Sequence, residues 1–364
     1  MKTIVFTGGG TGGHIYPGIA VAQELQNLIP CRILWIGNQD GMDRSIVEAA
    51  GIEFYGIPSG KFRRYLSYKN LTDIGKVLNG FFKARSLLAQ LKPTFLFSKG
   101  GFVSVPPCAA AASLGIPVFS HESDYTPGLA TKINSRFSSK LFTAYDDTIR
   151  FLPEPVQSRS TAVGNPVRRS FREADADAGR RFLGITSHDP VLLVLGGSQG
   201  AMQVNQLVEE SFRELSERYI IVHQTGPAHT SSLPPSDRYK VFPYIKDEMP
   251  HVLAASDVVL GRSGAGTVWE AAIAGKPMVL IPLSGSGSRG DQVVNARYFE
   301  RHGAAVVLLG PDANKDRLVS ELLDLADHAE RRSAMAEAAR QIGSVDAAGM
   351  LAREIVQFIK GDPS

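Results

Sequence analysis

The stretch MKTIVFTGGGTGGHIYPG (residues 1–18) decides how this chain is read. A short apolar run meets five glycines within six positions, and His14 follows at once. A strand that ends in glycines and leads into a helix exposes backbone N–H groups at the positive end of that helix. Such a surface suits a phosphate or another anionic group. Glycine is required because the backbone must turn sharply and approach its ligand closely. The theme returns at VLLVLGGSQGAMQVNQL (191–207), again apolar strand, glycine turn and helix.

Working outward, the same alternation continues on both sides. Lys2–Thr7, Arg32–Ile36, Thr94–Ser98, Pro117–His121 and Lys140–Thr143 are short apolar runs bounded by turn residues, and a helix is expected near Pro17–Leu28. The pattern restarts after Gly164-Asn165-Pro166, with strands expected at Tyr219–Gln224, Tyr239–Val241, Val258–Leu260, Met278–Ile281 and Ala305–Leu308. Strands alternating with helices argue an α/β fold with parallel sheets. A chain of 364 residues is long for one core, so two Rossmann-like domains are expected, 1–164 and 165–344. Ala347–Lys360 reads as a helix with Leu351, Ile355, Val356 and Ile359 as its apolar residues. That terminal segment, about 345–364, is expected to pack back on the first domain.

Composition narrows the class. Hydrophobic content of 43% and charged content of 21% are those of an ordinary globular protein. Two cysteines, Cys31 and Cys108, form neither a disulfide framework nor a zinc pattern, so a reducing cytosol is the expected compartment. The N-terminal apolar run is too short for a signal peptide. No stretch reaches the roughly 18–20 apolar residues of a membrane span. The net charge of +3 is unevenly spread: residues 61–92 carry eight bases and only Asp73 as an acid, so that segment holds +7 and the remainder −4. A local excess of this kind calls for an anionic partner.

The glycine loops differ in what they can bind. Gly8, Gly10 and Gly13 satisfy GxGxxG. A dinucleotide site also wants an acid at the end of the second strand, on the ribose. Here ILWIG runs into Gly37-Asn38-Gln39, with Asp40 beyond, which argues against a dehydrogenase. GGSQGA offers the Ser198 hydroxyl and the N–H groups of Gln199 and Gly200 to a phosphate. In GRSGAGTVWEAAIAGKP (261–277), Ser263 is expected to cap a helix that Gly275 ends and Pro277 stops. Glu270 is the lone charge of that helix, among Val268, Ala271, Ala272 and Ile273. An isolated carboxylate needs a partner: either a sugar diol or an internal base such as Arg262.

Taken together, GGGTGGHIYPG, GGSQGA, RSGAGTVWEAAIAGKP and DQVVNA (291–296) closely resemble the MurG family, N-acetylglucosaminyltransferases that convert lipid I to lipid II in peptidoglycan synthesis. HESDYTPGLATK (121–132) and GNPVR (164–168) fit the same family, so the resemblance covers nearly the whole chain with its motifs in order. It implies a GT-B fold, two Rossmann-like domains facing a central cleft. The C-terminal domain would bind UDP-GlcNAc and the N-terminal domain the membrane-bound acceptor. Carried over by motif, Ser198, Gln199 and Gly200 meet the donor phosphates, and Arg168 reaches into the cleft. The backbone of Ile245 reads the uracil. Glu270 takes the ribose hydroxyls, Gln292 and Asn295 face the GlcNAc hydroxyls, and Ala265 belongs to the same donor site. Thr11, Gly12 and Gly13 lie near the transferred sugar. Many members carry His-Glu-Gln-Asn where this chain has His121-Glu122-Ser123-Asp124, so the sugar contact assigned there falls on Asp124. Many also carry two glutamines where this chain has Asp291-Gln292.

The implied reaction is a single inverting displacement by the MurNAc 4-hydroxyl of lipid I. It needs a base, and His14 is the candidate, with Glu122 and Asp124 as rivals. A histidine of ordinary pKa about 6.5 is mostly neutral at pH 7, and a helix N-terminus disfavours imidazolium further. The leaving diphosphate is met by Ser198, its helix and Arg168, so no metal or other cofactor is expected. The one Asp-x-Asp, Asp175-Ala176-Asp177, reads as a solvated helix start. In the basic segment, Phe62, Arg63, Arg64, Tyr65, Tyr68 and Lys69 form an interfacial patch for an anionic membrane, which places the protein peripherally on the cytoplasmic face. No recognition motif for nucleic acid accompanies these bases. Other cell-wall synthesis proteins are further candidate partners. The alternatives are a transferase acting on diacylglycerol, a UDP-sugar epimerase, or a catalytically silent UDP-sugar binder.

Overall fold

The computed structural model describes residues 1–60, 68–197, 200–285 and 289–361, with 68–74 as backbone only. The chain divides into two units, Met1–Arg168 with Asp346–Ser364, and Arg169–Val345.

The first unit is built on a seven-stranded parallel sheet. Its strands are β1 (Lys2–Thr7), β2 (Cys31–Asn38), β3 (Glu53–Ile57), β4 (Phe95–Ser98), β5 (Val118–Glu122), β6 (Lys140–Thr143) and β7 (Ser160–Ala162), in the order β3-β2-β1-β4-β5-β6-β7. The central strands are rich in apolar residues because both faces are buried, whereas the edge strands β3 and β7 are only partly buried. Side chains alternate between two cores: Ile4, Phe6, Ile33, Trp35, Phe95 and Phe97 on one face, Val5, Leu34, Ile36 and Leu96 on the other. Helix α1 (Gly12–Leu28) covers the first face together with the terminal helix Ala347–Lys360. Phe358 of that helix lies 5.8 Å from the ring of Phe95 and 5.1 Å from Phe119. Helices α2 (Asp43–Ala49), α3 (Tyr68–Leu91), α4 (Val105–Ser113) and α5 (Leu129–Asn134) follow β2, β3, β4 and β5. α3 and α4 cover the second face.

α1 starts at Gly12, five residues before the expected start near Pro17. Proline opens helices readily because first-turn N–H groups have no intrahelical acceptor, so its missing N–H costs no bond. Here it sits inside the helix, and the acceptor it leaves without a donor is the Gly13 carbonyl, still in the first turn. The helix therefore reaches back into the glycine loop and carries His14 in its opening turn.

The second unit repeats the plan with β8 (Val191–Leu195), β9 (Ile220–Gln224), β10 (Tyr239–Phe242), β11 (Val258–Gly261), β12 (Met278–Leu280) and β13 (Ala305–Val307). All pairings are parallel, in the order β10-β9-β8-β11-β12-β13. Asp175 caps the helix Ala176–Leu183, its carboxylate accepting from Asp177 N at 2.9 Å. Among the described residues no helix is long and apolar enough to cross a membrane.

Candidate active site

In an open parallel sheet, ligands bind beyond the carboxyl ends of the strands, where the strand order reverses. That switch falls between β1 and β4 in the first unit and between β8 and β11 in the second. The four loops that leave these strands are 8–11, 99–101, 196–201 and 262–264; the first three hold two or more glycines and the last ends in Gly264.

The first glycine loop is held from below. Asp43, 1% exposed at the start of α2, accepts from Gly10 N and Asn38 N, each at 2.9 Å. Trp35 Nε1 donates to Gly8 O at 2.9 Å. A Cβ at Gly9 would lie 1.8 Å from the Asp43 carboxylate, so the loop fits this clamp only as glycine. Asp43, five residues beyond β2, is thus committed to the backbone of the loop and of Asn38, while Asp40, two residues beyond β2, is exposed. Thr11 and Gly13 are exposed and Gly12 is buried. Thr11 is the N-cap of α1, and its side chain makes no capping bond.

His14 is half-buried, its N–H bonded to Thr11 O at 3.1 Å. Its ring packs on the second loop: a Cβ at Gly101 would meet His14 Cδ2 at 3.2 Å, and one at Gly100 would meet Nδ1 at 3.7 Å and Thr131 Oγ1 at 3.9 Å. Thr131 Oγ1 in turn donates to Glu122 Oε2 at 2.6 Å. Glu122, 4% exposed, also accepts from Gly128 N and Asp124 N at 3.0 Å. Burial and the neighbouring Asp124 raise its pKa above the usual carboxylate value. With three donors on it, Glu122 shapes the 124–128 loop and is poorly placed to take a substrate proton. Asp124 is half-buried beside it. His14, Glu122 and Asp124 therefore belong to one cluster at the first switch point, linked through Gly100 and Thr131.

The sequence reading passed over Lys99, Asp43 and Asn165, which are buried in or under this cluster. A lone base between a strand and Gly-Gly was the available signal for Lys99. Arg168 stacks its guanidinium over Tyr16 of α1 at 4.8 Å.

At the second switch point, Ser198 and Gln199 lie outside the described residues. Gly200 has φ +79°, and a Cβ there would lie 2.3 Å from Thr225 O. The helix Met202–Glu210 follows with no side-chain cap. The helix Ala265–Ile273 also begins uncapped, at Gly264. Ser263 does not cap it, contrary to expectation: its hydroxyl donates to Gln292 O at 2.7 Å, because it is fully buried and faces the helix Asp291–Arg301. Gln292 Oε1 accepts from Leu283 N at 3.0 Å, and Asn295 is buried with its Nδ2 on Ser263 O at 3.4 Å. Asp291 pairs with Arg289 at 2.5 Å. Ala265 and Glu270 are half-buried on one helix. Arg262, the internal partner considered for Glu270, donates to Gln203 at 3.1 Å and to Ile281 O at 2.9 Å. Ile245 is buried, with its N–H on Gln224 Oε1 at 2.8 Å. Ala265, Gln292 and Asn295 are thus gathered near Ser263, while Ile245 sits by the end of β9.

Of the basic patch, Phe62, Arg63, Arg64 and Tyr65 lie outside the described residues, and Tyr68 and Lys69 open α3 without described side chains. Further along α3, Ala84 and Leu88 are buried and Phe81 and Leu91 are packed against that core. Leu78 and Phe82 are 55% and 65% exposed, among exposed Lys76, Lys83 and Arg85. Among the described residues, no three His, Cys, Asp or Glu side chains gather as a metal site.

Two parallel-sheet units, each with glycine loops at its switch point, are the plan of the GT-B fold, and the family matches make it a glycosyltransferase. Residues 4–143 match the glycosyltransferase family 28 N-terminal domain and 191–351 the family 28 C-terminal domain. The chain is 49% identical over 345 residues to the UDP-N-acetylglucosamine--N-acetylmuramyl-(pentapeptide) pyrophosphoryl-undecaprenol N-acetylglucosamine transferase of Treponema denticola, covering 89% of this chain and 88% of that one. It is 47% identical to the enzyme of that name in Treponema pallidum subsp. pallidum, over 99% and 96% of the two chains. The crystal structure of Acinetobacter baumannii MurG superposes with a TM-score of 0.73 at 26% identity, over 99% of this chain and 100% of that one. The chain belongs to the MurG family of N-acetylglucosamine transferases.

Proposed function

We propose that the protein transfers GlcNAc from UDP-GlcNAc to the MurNAc 4-hydroxyl of undecaprenyl-pyrophosphoryl-MurNAc-pentapeptide, lipid I, forming lipid II for peptidoglycan synthesis. The observation that carries this is the 49% identity with a transferase of that name across 89% of the chain, with glycine loops at both switch points.

In this reading His14 takes the proton of the attacking hydroxyl as the bond to the anomeric carbon forms and UDP leaves. Configuration at that carbon inverts. His14 lies half-buried in the first turn of a helix without a side-chain cap, at the rim of the glycine loop. The uncapped helices Met202–Glu210 and Ala265–Ile273, with Ser198, Gln199, Gly200 and Arg168, compensate the leaving diphosphate, and no metal is needed. Glu270 accepts from the ribose hydroxyls, Ile245 reads the uracil, and Gln292, Asn295 and Asp124 meet the sugar. The exposed apolar and basic residues of α3 hold the protein on the anionic cytoplasmic face of the membrane, where its lipid acceptor lies.

The test is a product assay with labelled UDP-GlcNAc and either lipid I or diacylglycerol. Labelled lipid II with one UDP released per sugar is expected. Label on diacylglycerol, or conversion of UDP-GlcNAc without any acceptor, would refute the reading.

A further inference from the structure

A buried ammonium lies beneath the first site and has no part in the chemistry above. Lys99, the residue after β4, is 1% exposed. Its Nζ donates to Ser123 Oγ, and Ser123 Oγ donates to Asn165 Oδ1 at 2.6 Å. Its backbone N–H bonds Thr7 O at 2.8 Å, and a Cβ at Gly8 would lie 3.1 Å from Lys99 Cβ. Lys99 thus packs against the root of the loop that carries His14, while the next residue, Gly100, lies against the His14 ring.

The charged surroundings are those of the site itself. Glu122 and Asp124, at the end of β5, favour the ammonium; burial opposes it more strongly and lowers its pKa to about 8. His121 faces the same charge, which together with burial holds its ring neutral, and its Nε2–H bonds Gly164 O at 2.9 Å. For packing alone a methionine would fill this position without the cost of desolvating a charge. A lysine buried at that cost therefore points to a use for the charge.

We propose that Lys99 is a positioning residue of the transfer reaction: its ammonium, through Ser123, fixes the 121–124 segment beside His14 and balances Glu122 and Asp124. This rests on the transferase reading. Asn165 extends the same chain to the stretch leaving β7, so one buried charge ties three loops of the first unit together.

The pH dependence separates this role from a structural one. Above pH about 8 the folded protein loses the Lys99 proton, whereas an unfolded lysine keeps its own to about 10.4. Between those values the unfolded chain binds more protons, so this group's contribution to stability rises with pH. Activity is expected to do the opposite.

The experiment measures kcat and donor KM with UDP-GlcNAc and lipid I from pH 6.5 to 9.5, with thermal unfolding at each pH, for the full chain and for Lys99→Met and Ser123→Ala. The full chain is expected to lose kcat above about pH 8 while its fold is retained. Lys99→Met should lower kcat roughly 10²-fold, change donor KM little, and lack that alkaline limb. Ser123→Ala, which keeps the charge, should lower kcat and keep the limb. A full chain with no such limb overturns the proposal without recourse to any variant. So does Lys99→Met with the unaltered kcat and profile. A full chain that never glycosylates lipid I overturns the transferase reading, and this proposal with it.

Discussion

Replacing Asp43 by alanine tests whether the first glycine loop is shaped from beneath. Asp43 accepts two backbone N–H groups at 2.9 Å, from Gly10 and Asn38, and is almost wholly buried. Hydrogen bonds to a charged group contribute about 1.5–3 kcal/mol each. Two of them give about 3–6 kcal/mol, and Gly10 is exposed, so water can recover part of one; a loss of about 3 kcal/mol is the working figure. Asp43→Asn keeps a single acceptor oxygen and turns an NH2 toward the other N–H, so it should fall between the two. Urea unfolding at pH 7 reads the stability. Steady-state transfer reads the loop: kcat should drop with the displaced His14 by more than donor KM rises, since Gly200, Ile245, Glu270, Gln292 and Asn295 lie on the other unit and only Thr11–Gly13, Asp124 and Arg168 of the donor groups on this one. An Asp43→Ala protein within about 0.5 kcal/mol of the parent, the size of an ordinary surface substitution, would refute the clamp. So would full stability loss with unchanged kcat, as far as His14 placement is concerned.

Three further outcomes are expected. His14→Ala should cut kcat about 10²–10⁴-fold, the usual contribution of a general base, with little change in donor KM; an unchanged kcat rules out the assignment. Phe82→Ser combined with Lys83→Glu on the exposed face of α3 should weaken sedimentation with vesicles containing anionic lipid, most at low salt, and leave the melting temperature unchanged; equal binding to neutral vesicles contradicts the electrostatic part. In the second unit, His223 lies between Tyr239 OH at 2.9 Å and Asn205 Oδ1 at 3.1 Å, and burial lowers its pKa to about 4. The unfolded chain therefore takes up the proton first as pH falls below about 6.5, and this group should cost about 2 kcal/mol of stability between pH 7 and 5; a His223→Gln protein should lose less over that interval.

Much of the fold was legible because its strands are buried on both faces. Lys2–Thr7 and Lys140–Thr143 agree with β1 and β6 at both ends, and β2, β4, β5 and β9–β13 agree with their readings within two residues at either end. The two strands passed over, β3 and β7, lie at the sheet edges and are only partly buried, so neither forms a clean apolar run. The start of α1 was misplaced because proline marks helix starts by local rule, whereas here the tertiary contacts of Ile15 and Ile19 extend the helix backward over the loop. Candidate residues can be named from the sequence where they sit beside a glycine motif, as His14 and Glu270 do. Lys99 and Asp43 act by reaching across to other segments, Lys99 to Ser123 and Asp43 to Gly10. Such contacts follow from strand order, which a single sequence does not print.

The same distinction explains why a formal GxGxxG tells so little here. The motif describes a backbone that turns at the end of a strand, and that backbone is present: Gly8 and Gly10 have φ +158° and +85°. What a turn binds depends on the groups around it. In a dinucleotide fold the second strand ends in an acid that is open to a ribose. In this chain Asp43, in the helix after β2, points into the turn and accepts from Gly10 and Asn38, one on each oxygen. The Trp35 indole fills the space behind Gly18, where a Cβ would stand 2.5 Å from its ring. The groups left at the rim are Thr11, Gly13 and His14, none of them anionic. In the proposed reading this loop, held from below by Asp43 and Trp35, meets the anionic acceptor, and His14 takes a proton from it. If the loop instead held a nucleotide, Asp43→Ala would free a carboxylate-sized space beside it and loosen UDP binding in proportion to kcat. Equal losses in UDP affinity and kcat would therefore favour the nucleotide reading, and a loss confined to kcat the acceptor one.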